Sequence, residues 1–186
     1  MKNRKRGFSL VELLIVLAVI AALIATITPV ALNAIKKAKA TQVAQNLKTL
    51  TASLENAAYV NGAKSDIGVY APGATTEITK TQLARDIDDK TYAIIYKWDS
   101  ANSKFVGYVL FVGDVDSTLL TGTLSNATQD TWANFKTEAV ATTNNWAAVG
   151  DVETDYPFGF ITANFFTAAT TANAVISWYE FDFTVY

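Results

Sequence analysis

The sequence predicts an α+β protein: one long N-terminal α-helix, apolar in its first half and amphipathic in its second, packed on an antiparallel β-sheet. Three observations predict it. From Leu13 to Ile35 the chain carries no charged residue over 23 positions. Beyond that run, Val43, Leu47, Leu50 and Leu54 recur at steps of four, three and four, the stripe of an amphipathic helix. Later, "TYAIIYKW" (91–98), "KFVGYVLFV" (104–112) and "VISWYEFDFTV" (175–185) alternate or run apolar over strand lengths between turn residues.

The helix is expected from about Phe8 to about Ala58. As a helix the uncharged run is roughly 35 Å long, enough to cross a hydrocarbon core of about 30 Å. Its single proline, Pro29, removes one backbone donor and predicts a kink or loosening around 25–29, "ATITP". Lys36, Lys37, Lys39, Gln42, Gln45, Asn46 and Lys48 stand between the stripe residues and give the second half a polar face.

Residues 61–80 hold turn formers without a sustained period and read as a connecting loop. A short helix is expected over 81–87. In 91–98 Tyr92, Ile94, Tyr96 and Trp98 share a face, and "DSANS" forms a five-residue hairpin loop to 104–112. That second strand is apolar on both faces, so it belongs in the middle of a sheet. Trp132, Phe135 and Ala139 at helical spacing predict a short helix over 130–140, with Asp130 as its cap. "FGFI" (158–161) reads as a short strand. The last strand places Tyr179, Phe181, Phe183 and Val185 on one face and Trp178, Glu180, Asp182 and Thr184 on the other, a half-exposed antiparallel strand.

Composition excludes much chemistry. The 186 residues suffice for one ordinary domain plus an anchoring segment. There is no cysteine, hence no disulfide and no thiolate metal site, and no histidine, hence no Ser-His-Asp or Cys-His catalysis. Four basic side chains, Lys2, Arg4, Lys5 and Arg6, crowd the first six residues. Without them 11 basic side chains face 17 acidic ones, and from Val106 onward only Lys136 is basic. An acidic outer domain argues against nucleic-acid binding by charge.

A basic start followed by an apolar run fits a cleavable signal peptide, with Ala22 and Ala25 as small residues near its end, and it fits a signal anchor. Four basic groups before the span and four soon after it leave the charge rule without a preferred orientation. Neither reading explains Glu12. A carboxylate at membrane depth is costly and marks function, unless it snorkels to the headgroups. Phe8 and Glu12 share a helix face at i and i+4. A cut between Gly7 and Phe8 would create an amine for which Glu12 is the nearby carboxylate. Within one helix the two lie a turn apart; between staggered parallel helices they meet well, and a buried carboxylate needs such a partner.

"KRGFSLVELLIVLAVIAAL" resembles the leader and N-terminal segment of type IV pilins and related pseudopilins. The matching features are a short basic leader, Gly7 before the cut, Phe8 after it, Glu12 as the fifth residue from the cut, and Pro29 further along. The resemblance covers roughly residues 1–58. It implies that a membrane aspartic prepilin peptidase removes residues 1–7 and methylates the Phe8 amine. It implies also that Glu12 neutralises the amine of a neighbouring copy in a filament. The organisation it implies is a leader (1–7), a membrane and filament-core segment (8–35), the amphipathic half of the same helix (36–58) and a globular head (59–186).

By the same resemblance the chain is a structural subunit, a major pilin of a type IV pilus, and not an enzyme. It starts as a single-pass precursor in the cytoplasmic membrane with its head outside the cytoplasm, then joins an extracellular filament. Its partners are further copies of itself, the prepilin peptidase, and an assembly platform with its ATPase; no phosphate-binding loop is present for it to use ATP itself. No cofactor is implied. Two other readings share this N-terminus: a pseudopilin of a secretion or DNA-uptake machine, and a minor tip pilin acting as an adhesin. Twitching, adhesion and DNA uptake all use this architecture. The lack of cysteine departs from pilins that close their C-terminal region with a disulfide, and the chain is long for a major secretion pseudopilin.

Other motifs are weaker. "DVETD" offers Asp151, Glu153 and Asp155 at steps of two, as at the start of a calcium loop. Tyr156 and Thr162 stand where such a loop needs glycine and glutamate, so a solvated acidic face is the plainer reading. "DIDD" (86–89) and "DVD" (114–116) read the same way. Asn126-Ala127-Thr128 fits the N-glycosylation pattern, which is short and often coincidental. Trp132, Trp146 and Trp178 read as core before they read as a sugar or base platform.

Overall fold

The structure is a computed structural model and describes residues 8–83, 85–139, 150, 152, 155–171 and 174–185. The chain forms two compact units, one up to Ala38 and one from Lys39 to Tyr186. Helix α1 (Leu10–Asn61) is 52 residues long and contains Pro29. It starts two residues inside the expected bound and ends three residues beyond it.

In the first unit every described side chain is exposed, including Leu10, Leu13, Leu17, Ile20, Ile24 and Ile27. A helix this apolar has no reason to stay in water, and its partner is a bilayer or other helices.

In the second unit the stripe is buried as its spacing requires. Ala40, Leu47, Leu50, Leu54 and Ala58 are fully buried and Val43 nearly so. They pack on Ile94, Tyr96, Phe105, Val109, Phe181 and Phe183 from the sheet. Each such Leu stabilises the fold by about 1.5–3 kcal/mol.

The main sheet contains β3 (Tyr92–Asp99), β4 (Lys104–Val112), β5 (Ala127–Thr131), β6 (Phe158–Phe160) and β7 (Val175–Phe183). Their order is β5-β7-β4-β3-β6, all antiparallel. β4 is central, as its two apolar faces predict. Asp99 pairs with Lys104, so the hairpin loop has four residues rather than five. It is closed by Asp99, whose carboxylate accepts the Ala101 and Asn102 amides, and Ser103 takes a left-handed φ of 53°.

Several expectations are corrected. Residues 61–80 are not a plain loop. They contain a two-stranded ladder, β1 (Ala63–Lys64) with β2 (Gly68–Val69), and a bridge from Tyr70 to Glu77. Strands of two residues carry no period for a sequence to show. The expected helix over 81–87 is one turn, α2 (Lys80–Leu83), at whose start Gln82 Oε1 accepts both the Thr79 amide and the Thr79 hydroxyl. Asp130 is not a helix cap: it lies in β5, and Thr131 caps α4 (Trp132–Ala139) by accepting the Asn134 amide.

Among the described residues the fold also includes helices α3 (Ser117–Thr123) and α5 (Ala163–Thr170). α4 and α5 build a second core on the sheet face away from α1. There Phe135 and Phe165, both fully buried, join Trp132, Phe166 and Ala169 against Ile95, Leu110, Ile176 and Trp178. The last strand is therefore buried on both faces along its first half. It is open at its first residue, Val175, and where Glu180 and Asp182 point out.

Candidate assembly site at the N-terminus

The N-terminal segment has a defined start. Ser9 and Glu12 form a reciprocal cap: the Ser9 amide donates to Glu12 Oε2 at 2.8 Å, and Ser9 Oγ accepts the Val11 amide at 3.3 Å. The first intrahelical bond, from the Leu13 amide to the Ser9 carbonyl, follows. The Ser-x-x-Glu spacing at 9–12 carries this signal in the sequence.

This fold-back changes the geometry around the junction. Glu12 does not stay a turn below the chain start but reaches the amide next to Phe8. Among the described residues Phe8 is the most exposed large apolar side chain, at 88%. Gly7 lies outside the described residues. A carboxylate is favourable at this end of a helix in any case, where free amide protons and the helix dipole meet it.

Pro29 sits within α1, and its missing donor leaves the Ala25 carbonyl without its usual partner. One turn earlier, Thr26 Oγ1 donates to the Leu23 carbonyl at 2.9 Å and Thr28 Oγ1 to the Ile24 carbonyl at 2.8 Å. Such back-bonding competes with the backbone ladder and bends helices. The segment 23–29 thus lacks one backbone donor and carries two side-chain bonds to its own carbonyls.

The remaining sites named from sequence lie in the head. Asp155 is half-buried, while Asp151 and Glu153 lie outside the described residues. Among the described residues no group of three acidic side chains is placed to hold a metal. Asp116 caps α3 by accepting the Leu119 amide, which gives one acid of "DVD" a local structural task. Asn126 is exposed in the turn before β5. Trp132 and Trp178 are buried in the second core, and Trp146 lies outside the described residues.

Fold and site together define an α+β protein that begins with a helix long and apolar enough to cross a membrane. Residues 2–28 match the family model described as the prokaryotic N-terminal methylation motif, the prepilin signature of type IV pilins and pseudopilins. That family is structural rather than enzymatic, and the motif implies leader removal by a prepilin peptidase and assembly into a filament. No curated protein and no solved structure matches the chain.

Proposed function

We propose that this chain is the major subunit of a type IV pilus. The observation that carries the reading is the N-terminal segment itself. A methylation motif over residues 2–28 extends into an uncharged run that is exposed throughout, with one carboxylate just before it. In this reading the membrane holds the run before assembly, and the packed helices of neighbouring copies hold it afterwards.

Glu12 is the assembly contact. Cleavage between Gly7 and Phe8 places a methylated amine beside the residue whose amide Glu12 already binds. In a staggered bundle the carboxylate exchanges that bond for a neighbour's amine. This satisfies two charges that would each be costly alone in an apolar core. Pro29 and the threonines before it mark where the helix loosens on packing.

The test is to shear cells carrying the protein and take the intact mass of what is released. A dominant species beginning at methylated Phe8 supports a main filament subunit. Processed protein that stays with the cells supports the pseudopilin or scarce tip-subunit reading instead. The chain's length and the intact Glu12 favour the main subunit.

A further inference from the structure

Asn126 is the only asparagine of the chain with Ser or Thr two residues later, and Thr128 supplies that hydroxyl. The fold places the pair at the surface between α3 and β5. The Ala127 amide donates to the Leu124 carbonyl at 3.0 Å and closes a turn whose third residue is Asn126. Asn126 is exposed and Thr128 half-buried. Among the described residues the Asn126 side-chain nitrogen donates no hydrogen bond; its Oδ1 accepts the Ser125 hydroxyl at 3.4 Å. The Thr128 hydroxyl bonds nothing there either. The side-chain amides of Asn46, Asn61, Asn102 and Asn134, by contrast, each donate to another part of the fold. Both groups of an Asn-x-Thr acceptor are therefore left free: the nitrogen that takes a sugar and the hydroxyl that is read with it.

The topology keeps this acceptor open. β5 is an outer strand, and its one neighbour in the main sheet is β7, the last strand of that sheet. Thr128 pairs with Trp178. A head that crosses the membrane in chain order exposes 126–128 before the strand that closes on it arrives. At synthesis rates of about 5–20 residues per second that wait is on the order of seconds. Once β7 is in place, Asn126 stays outside the sheet, in the turn.

The surroundings suit a neutral, hydrated group. Residues 117–129 carry no charged side chain, although Ser117, Thr118, Thr121, Thr123 and Ser125 are exposed. β5 also gives the sheet a free edge, a liability that a bulky polar group beside it would block.

We infer that Asn126 is an N-glycosylation site that takes an oligosaccharide from a lipid-linked diphosphate donor outside the cytoplasm. Asn126 Nδ2 forms a bond to the anomeric carbon of the first sugar. The bond from that carbon to the diphosphate oxygen breaks, the lipid diphosphate leaves with the electron pair, and the amide gives up one proton. The inference rests on the part of the proposed function that puts the head outside the cytoplasm, which the main-subunit and pseudopilin readings share.

The test is the intact mass of the full chain taken from its own cells, shed and cell-bound fractions both, followed by fragmentation of the peptide that contains Asn126. The expected result is a processed chain heavier than its sequence by one or more sugar residues, all of them on Asn126. Asn126→Gln and Thr128→Ala should both return to the unmodified mass, while Thr128→Ser keeps the addition. Wild type at the unmodified mass overturns the site, and so does an addition that persists in Asn126→Gln or in Thr128→Ala. Digestion of the head by protease added to intact spheroplasts reads export separately. An unmodified mass on exported chains therefore strikes the site and leaves the location of the head standing.

Discussion

Glu12 Oε2 accepts the amide proton of Ser9 at 2.8 Å, one residue from Phe8. The carboxylate is therefore stationed where cleavage would create an amine, and it has two tasks to separate: capping its own helix and meeting a charge. Glu12→Ala removes both; Glu12→Gln keeps an oxygen for the Ser9 amide and removes only the charge. Both variants should be processed at Gly7, and both should yield few filaments in sheared fractions. Loss of the cap alone costs about 0.5–2 kcal/mol, too little to stop a membrane helix forming. Normal filament yield from Glu12→Gln would reduce Glu12 to a cap.

The leader junction makes a separate prediction. A side chain at Gly7 would crowd a peptidase that must close around the backbone there. Gly7→Leu should leave the leader attached, read as an intact mass still beginning at residue 1 or 2. A mature-length product from that variant would show that the glycine is dispensable.

The second core predicts that the head depends on α4 and α5 as much as on α1. Leu47→Ala on the α1 side should destabilise by about 2–5 kcal/mol, and Phe165→Ala on the other by about 3–5 kcal/mol. Both residues are fully buried. Near-ultraviolet circular dichroism of the full chain in micelles would follow the unfolding. A Phe165→Ala midpoint equal to wild type would mean that α5 is an appendage rather than a layer.

That second layer was the part of the fold least legible in the sequence. α1 was readable because Val43, Leu47, Leu50 and Leu54 keep one period over three turns, and β4 because nine residues carry no polar face. α5 is "ANFFTAAT", short and rich in alanine and threonine. Only Phe165 and Phe166 mark it, and two adjacent phenylalanines show no period. β5 is "ATQDT", whose pairing with β7 is decided by the partner rather than by propensity. At the candidate site, Glu12 was conspicuous because charge is costly in an apolar run. Ser9 was not, because its role is a local hydrogen bond. Glu77 was invisible for a different reason: its hydrogen-bond partners Tyr96 and Gly159 are brought to it only by the tertiary fold.

Gly159 is a position where the backbone permits no other residue. It sits in β6 with φ +102°, a left-handed conformation, and a Cβ there would collide with the Ile94 carbonyl oxygen on the paired strand. Gly159→Ala should therefore cost more than the about 1–3 kcal/mol of backbone strain alone. It should also part β6 from β3, seen as faster amide exchange at 158–160. Unchanged exchange would show that the sheet edge can shift to admit a methyl group.

Glu77→Gln makes the pH prediction. Burial raises the Glu77 carboxyl above its ordinary value of 4.5. The folded state therefore holds that proton more tightly than the unfolded chain does. By linkage its contribution is most favourable below 4.5 and is lost as pH rises through the folded value. At pH 7 the charge opposes folding, so Glu77→Gln should match or exceed wild type in thermal midpoint. The advantage should shrink as pH falls and vanish below 4.5. Glu55 is raised in the same direction, by burial and by the nearby Asp182 carboxylate, but it is present in both proteins and cancels in the difference. A Glu77→Gln midpoint below wild type at pH 7 would mean that the carboxylate has a stabilising cation in the folded chain.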